Sequence, residues 1–279
     1  MRSVRHLSFA IIVCSLFALA PISFGSQTGK LIISTEEEIA KDIALAPCKD
    51  AERMNAVKAL FTRLGASAEQ VTVEKLDDVE NVVVRKPGTS PETLIIGAHY
   101  DKTDMGCGAI DNWTGIITIA HLYRSLKDVP LHKSLIFIAF GKEEKGLLGS
   151  KAWVRHIKKE DTGQYCAMIN IDSLGMATPQ VLENLSSKTL VNRVADLAQR
   201  MKIPFHKYNI NGAGADSESF IAKKIPALTI SAIANGWETV LHTSNDKAAK
   251  VNSNSLYIGY RLALALVAEL DSLPCEVSR

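Results

Sequence analysis

The 279-residue chain has almost no excess of charge: 32 Lys and Arg stand against 30 Asp and Glu, a formal net charge of +2. No basic arm or stripe is present, which excludes a binding mode driven by nucleic-acid phosphates. No Cys-x-x-Cys pair or close Cys/His spacing occurs, which excludes a structural zinc finger. The chain lacks internal repeats and low-complexity tracts, so it is no repeat array. It also lacks a Pro/Gly/Ser-rich linker, so it reads as one domain. Its most continuous apolar run, Leu7 to Ala20, has 14 residues. That falls short of the roughly 20 needed to span a bilayer.

What the N-terminus does contain is a targeting signal. Arg2, Arg5 and His6 precede the apolar run, and the small residues Ser23 and Gly25 follow it. This pattern predicts a signal peptide over residues 1–25, cleaved after Gly25. Cys14 follows Val13 rather than a small residue, which argues against a lipoprotein. Residues 26–279 then form a single mature domain with thirty basic and thirty acidic side chains. The expected location is secreted or periplasmic, with no stable membrane association after cleavage. Four cysteines remain: Cys48, Cys107, Cys166 and Cys275. An even count in an exported chain suggests disulfides, and four cysteines allow three pairings. The pairing Cys48–Cys275, which would tie the first helical region to the chain end, is the expectation.

Helical patterns cover 35–64 (broken near Pro47), 112–127, 147–157, 188–201 and 252–273. Between them fall β-rich runs: VTVEKL from Val71, NVVVRK from Asn81, LIIGAHYD, SLIFIAF, CAMINID and ALTISA. Strands this apolar are expected where helices cover both faces of a sheet. The fold class predicted is α/β, a three-layer α/β/α sandwich with a mostly parallel central sheet.

Four of these apolar strands run into polar residues. LIIGA leads to His99 and Asp101, SLIFIAF to Glu143 and Glu144, AMINI to Asp172, and ALTISA through a short loop to His242. Asp111 stands where a helix begins. Singly, each has an ordinary explanation: an Asp before a helix is usually an N-cap, and adjacent Glu residues are usually a solvated loop. Together they would converge at the carboxyl edge of one sheet, where open α/β folds build their sites. Unpaired carboxylates crowded there would raise one another's pKa values, and bound cations remove that cost. Oxygen and imidazole donors without thiolate suit zinc, with manganese or cobalt as alternatives.

The segments GAHYDK (97–102), GAIDNWTG (108–115), FGKEEKGLLGS (140–150), NIDSLG (170–175) and LHTSNDK (241–247) resemble the co-catalytic zinc metallopeptidase family of bacterial leucyl aminopeptidase, glutamate carboxypeptidase and glutaminyl cyclase. The resemblance spans 35–272 in consistent order. It implies the α/β/α aminopeptidase fold with a mixed sheet, and two Zn2+ ions. His99 and Asp172 would hold one, Glu144 and His242 the other, with Asp111 bridging. Asp101 would orient the His99 ring, and Glu143 would be the general base. The implied activity is an aminopeptidase acting on peptide substrates. A glutaminyl-peptide cyclase and a non-enzymatic binding domain of the same fold are the alternatives.

Lys142 departs from the family pattern, standing before the Glu pair where a small residue is common. Lys142 and Lys145 read as solvated loop lysines. Asn112 heads a formal glycosylation sequon but sits beside Asp111, so Asn184 is the better acceptor. His121, His132, His156 and His206 read as ordinary helix or surface residues. Asp216 and Ser217, in a Gly-rich stretch, are candidates for substrate contact, and Trp237 for the rim of the pocket.

Overall fold

A computed structural model describes residues 29–279; the expected signal peptide, residues 1–25, lies outside them. The predicted helical region 35–64 forms two helices, α1 (Glu36–Ile43) and α2 (Asp50–Arg63), parted around Pro47. Helix α1 starts on a capping box: Thr35 accepts from Glu38 N, and Glu38 accepts from Thr35 N. Two orphan amides are thereby satisfied. The chain continues through β1 (Val71–Leu76), β2 (Val79–Lys86), β3 (Thr93–His99), α3 (Thr114–Leu126), β4 (Ser134–Phe140), α4 (Leu148–His156) and β5 (Tyr165–Ile171). It closes with β6 (Gln180–Leu182), α5 (Lys188–Arg200), β7 (His206–Tyr208), α6 (Ser217–Ala222), β8 (Ala227–Ser231) and α7 (Ser253–Ser272).

The eight strands form one sheet in the order β1-β2-β4-β3-β5-β8-β6-β7. The central block β4-β3-β5-β8 is parallel, and β6 pairs β7 in parallel. The pairs β1–β2, β2–β4 and β6–β8 are antiparallel, making the sheet mixed. Period-two alternation divides its core. Leu94, Ile96, Leu135, Phe137, Ala167 and Ile169 pack against α1, α2, α3, α5 and α7 on one face. Ile95, Ile138, Phe140 and Met168 pack against Trp153 and Val154 of α4 and Phe220 of α6 on the other. Both faces are covered, which is why the strands read as continuous apolar runs.

The sequence reading missed β6, β7 and α6. Strands of three residues are too short to show a period. The disulfide expectation needs correction: the bonds are Cys48–Cys107 and Cys166–Cys275, not Cys48–Cys275. Helix α7 explains why. It starts beside Gly175, whose carbonyl accepts from Asn252 N, and ends beside Lys133, whose ammonium donates to the Leu273 carbonyl. The chain end is thus carried to the amino edge of the sheet, beside Cys166 at the start of β5. Cys48 lies at the opposite edge. No described helix is long and apolar enough to cross a membrane.

Candidate metal centre and active site

Each parallel strand of the central block delivers one side chain or loop to the same edge. His99 is the last residue of β3, Glu143 and Glu144 follow β4, Asp172 follows β5, and His242 lies eleven residues beyond β8. Asp111 comes from the turn that opens α3. Its two carboxylate oxygens face different imidazoles: Oδ1 is 3.1 Å from His99 Nε2, and Oδ2 is 2.9 Å from His242 Nε2. Around His99 Nε2 also lie Asp172 Oδ1 at 3.7 Å and Glu143 Oε2 at 3.9 Å. Around His242 Nε2 lies Glu144 Oε2 at 3.3 Å. The structure thus brings together all seven residues named from the sequence.

Buried polar groups hold these positions. The Asp101 carboxylate accepts from the main-chain amides of Glu143 (2.9 Å) and Glu144 (3.2 Å). His99 Nδ1 donates to the Asp101 main-chain carbonyl at 3.2 Å, with the Asp101 carboxylate 3.6 Å away. The ring's hydrogen bond therefore goes to the backbone of Asp101, while the side chain holds the Glu pair. Fully buried Asn112 joins α3 to the end of β5. Its Nδ2 donates to the Ile171 carbonyl, and its Oδ1 accepts from Gly115 N and Ser173 N. Glycosylation there would require unfolding. Asp246 accepts from Ile110 N (2.7 Å) and Asp111 N (3.1 Å), tying the His242 loop to the Asp111 turn. Lys142, His242 and Ser173 all have left-handed backbone, with φ of 56°, 59° and 56°. At Lys142 this is a backbone conformation that glycine adopts without strain. Its ammonium reaches away from the site to the Asp78 carbonyl.

Electrostatically the cluster sets five carboxylates against two imidazoles, with the Arg53 guanidinium nearby. Burial, reinforced by the charges of Asp216, Asp172 and Asp111, pushes Glu143 well above the usual carboxylate range even against the pull of His99. Burial likewise raises Glu144. Hydrogen bonds to Asp111 and Glu144 lift His242 to about 10. Burial opposes a proton on His99, but Glu143, Asp101, Asp111 and Asp172 outweigh it and raise that group too. Asp111 moves the other way: burial would raise it, but its bonds from His242 and His99 hold it below the usual range. Glu144 Oε1 is buried without a hydrogen-bond partner. Ligand atoms of His99, Glu143 and Asp172, and of His99, Asp111 and Glu144, each gather within 4.8 Å. Hard oxygens plus imidazoles, crowded together with one buried carboxylate oxygen unpartnered, fit a divalent cation such as zinc.

A cavity of about 460 Å³ opens above the cluster. Leu182, Ile210, Ile233, Trp237 and Leu241 form its apolar wall, and Lys151 of α4 contributes an ammonium. Trp237 is where the sequence reading expected it. Asp216 and Ser217 are not: neither lines the cavity. Ser217 Oγ bonds to the Leu185 carbonyl and Thr229 Oγ1, and Asp216 is fully buried, which raises it to about 7. His121 lies in helix α3, as the sequence reading has it, and is buried there between Ser34 Oγ (2.8 Å) and Asp42 Oδ2 (2.9 Å). Arg53, Asn112 and Asp246 were missed as site residues. Asn112 and Asp246 stand inside the GAIDNWTG and LHTSNDK segments, whereas nothing in the spacing around Arg53 points to the centre.

The chain belongs to peptidase family M28, whose family model matches residues 81–267. Among curated proteins it is similar to aminopeptidase YwaD of Bacillus subtilis, with 27% identity over 74% of this chain and 46% of that protein. It spans about half the length of the curated relatives it matches. Among solved structures, the LapA aminopeptidase of Legionella pneumophila superposes with a TM-score of 0.71 at 22% identity, covering 87% of this chain and 77% of that one. A glutaminyl cyclase of an Acidobacteriales bacterium gives 0.73 at 16% identity, covering 94% and 99%.

Proposed function

We propose that the chain is a zinc-dependent aminopeptidase that removes N-terminal residues from peptides. The observation that carries this reading is the Asp111 carboxylate, whose two oxygens face two imidazoles, each with a further carboxylate beside it. That arrangement supports two zinc ions, one among His99, Asp172 and Asp111, the other among His242, Glu144 and Asp111. When bound, zinc would acidify water and polarise the scissile carbonyl.

The remaining work falls to side chains. Glu143, not needed as a ligand in that division, takes the proton of the attacking water and returns it to the leaving amine. Burial raises its pKa above the usual carboxylate range, which favours its accepting that proton. Asp101 fixes the backbone from which Glu143 projects. The carboxylates favour a free, positively charged α-amine, which selects the N-terminal residue. Leu182, Ile210, Ile233, Trp237 and Leu241 offer an apolar surface to its side chain. Lys151 offers a counter-charge to a peptide carboxylate, which favours short substrates. Two disulfides support residence in an oxidising compartment, in keeping with export.

The test is a product-identified screen of unblocked and N-blocked peptides, with zinc measured on the same protein. Free amino acid released from unblocked peptides alone, at two zinc per chain, is the expected result. Ammonia and cyclised product from Gln-initiated peptides, at one zinc per chain, would replace this reading with glutaminyl cyclisation. No turnover by the zinc-loaded protein across the panel would favour a binding domain.

A further inference from the structure

Arg53 of α2 is among the largest fully buried side chains of the protein, with 0% exposure. A buried guanidinium ordinarily pairs with a carboxylate. The hydrogen bonds of Arg53 instead go to four main-chain carbonyls. Nε donates to Tyr100, Nη1 to Pro47 (3.1 Å) and Cys107 (2.9 Å), and Nη2 to Gly108 (3.1 Å). The guanidinium also stacks over Trp113, 5.4 Å from the ring centroid.

The identity of those carbonyls matters. Tyr100 stands between His99 and Asp101, and Gly108 stands three residues before Asp111. One planar group therefore bridges the end of β3 to the turn that opens α3, the two segments supplying His99 and Asp111. The same stretch is tied down twice more. Cys107 is bonded to Cys48 in the α1–α2 link, and its amide donates to the Asp246 carbonyl at 2.7 Å. The first turn of α2 adds Asp50, which accepts from Lys102 N at 3.2 Å. The packing leaves no slack. Gly108 has φ +56°, and a Cβ there would lie 2.7 Å from the Asp111 carbonyl and 3.2 Å from Arg53 Nη1.

We infer that Arg53 is a positioning residue for the metal centre: through Tyr100 and Gly108 it holds His99 and Asp111 facing each other, touching neither substrate nor ion. The inference rests on the metal-centre reading above. Its physical basis is geometric. Five donors in a rigid plane can bond carbonyls on separate segments at once, whereas an ammonium is a point with three donors on a flexible stem. Lysine would keep the charge and lose the bridge. Groups that orient metal ligands typically change metal affinity 10- to 100-fold when replaced, on the order of other outer partners.

The test compares the full-length mature protein with its Arg53→Lys and Arg53→Met variants. Zinc affinity is read by competition with a chelator, alongside kcat and KM on a dipeptide at saturating zinc. Both variants should bind zinc roughly 10- to 100-fold more weakly. Both should lose kcat, with KM within about twofold of the parent, since Arg53 does not line the cavity. A packing role alone would lower the unfolding temperature and leave zinc affinity and kcat unchanged, and that outcome overturns the inference. Should both variants fail to fold, Arg53→Gln keeps a planar donor group with too few hydrogens to bond all four carbonyls. A weakened zinc affinity there supports the inference, and an unchanged one overturns it. If the parent protein itself takes up no zinc, it is the metal-centre reading that fails.

Discussion

At the scale of single residues, neighbours in sequence do different chemistry because the backbone aims them apart. Glu144 points to His242 and Glu143 toward His99, from adjacent positions held by one Asp101 carboxylate. Glu143→Gln should lower kcat by about 10² to 10⁴ while metal content, measured by elemental analysis, stays at the parent level. Loss of metal would instead make Glu143 a ligand. Proton linkage provides a second check. His242, held at about 10 without metal, carries its proton at neutral pH, so a cation must displace it. Zinc affinity should therefore fall as pH is lowered, and calorimetry in buffers of different ionisation enthalpy should show protons released on binding. For Lys151→Gln, KM should rise about two- to tenfold on a dipeptide and stay level on the corresponding dipeptide amide, by loss of an exposed counter-charge to the substrate carboxylate. Equal effects on both would remove Lys151 from substrate recognition.

At the scale of elements, α1 is anchored by two paired carboxylates. Burial alone would raise Asp42, but hydrogen bonds from His121 and Arg63 outweigh it and hold its carboxyl below the usual range. Glu38, bonded by Arg124 and by Thr35 N, is held at about 2. For depressed carboxyl groups the stabilisation is complete above their unfolded values and is lost as pH falls through the folded ones. Stability should thus decline below about pH 4.5 and continue to fall toward pH 2. Asp42→Asn should flatten that acid limb and cost on the order of 2–3 kcal/mol at pH 7, by leaving His121 and Arg63 without their charged partner. Chemical denaturation across pH measures both. The His121–Asp42 pair, sealed under α1, also shows why an imidazole beside a carboxylate is not in itself a site.

At the scale of the whole molecule, the two disulfides brace opposite edges of the sheet. Cys166–Cys275 closes the chain end onto β5 across a sequence separation of 109 residues. Replacing that pair by serine should cost roughly 2–4 kcal/mol in urea unfolding and leave the metal centre, at the other edge, with unchanged zinc affinity. A parallel loss of zinc would show that the two edges are not independent.

How much was legible in the chain follows from the range of each signal. Apolar runs and helical periods are local, so the five longest helical regions, the six longer strands and the α/β/α class could be read directly. The polar residues ending four apolar strands could also be read, because a strand end fixes which edge its side chains reach. Three-residue strands carry no period, and β6 and β7 were lost for that reason. Disulfide partners depend on the path of α7, which no spacing of cysteines encodes. Arg53 looks like any basic residue on an amphipathic helix until the β3 end and the Asp111 turn fold against it. The sequence by itself determined which residues stand at the strand ends, since apolar runs and the polar residues that close them are local features of the chain. Tertiary structure alone decided how they are held: the Asp101, Asp246 and Arg53 bonds join segments tens of residues apart, and such contacts exist only once the core has closed.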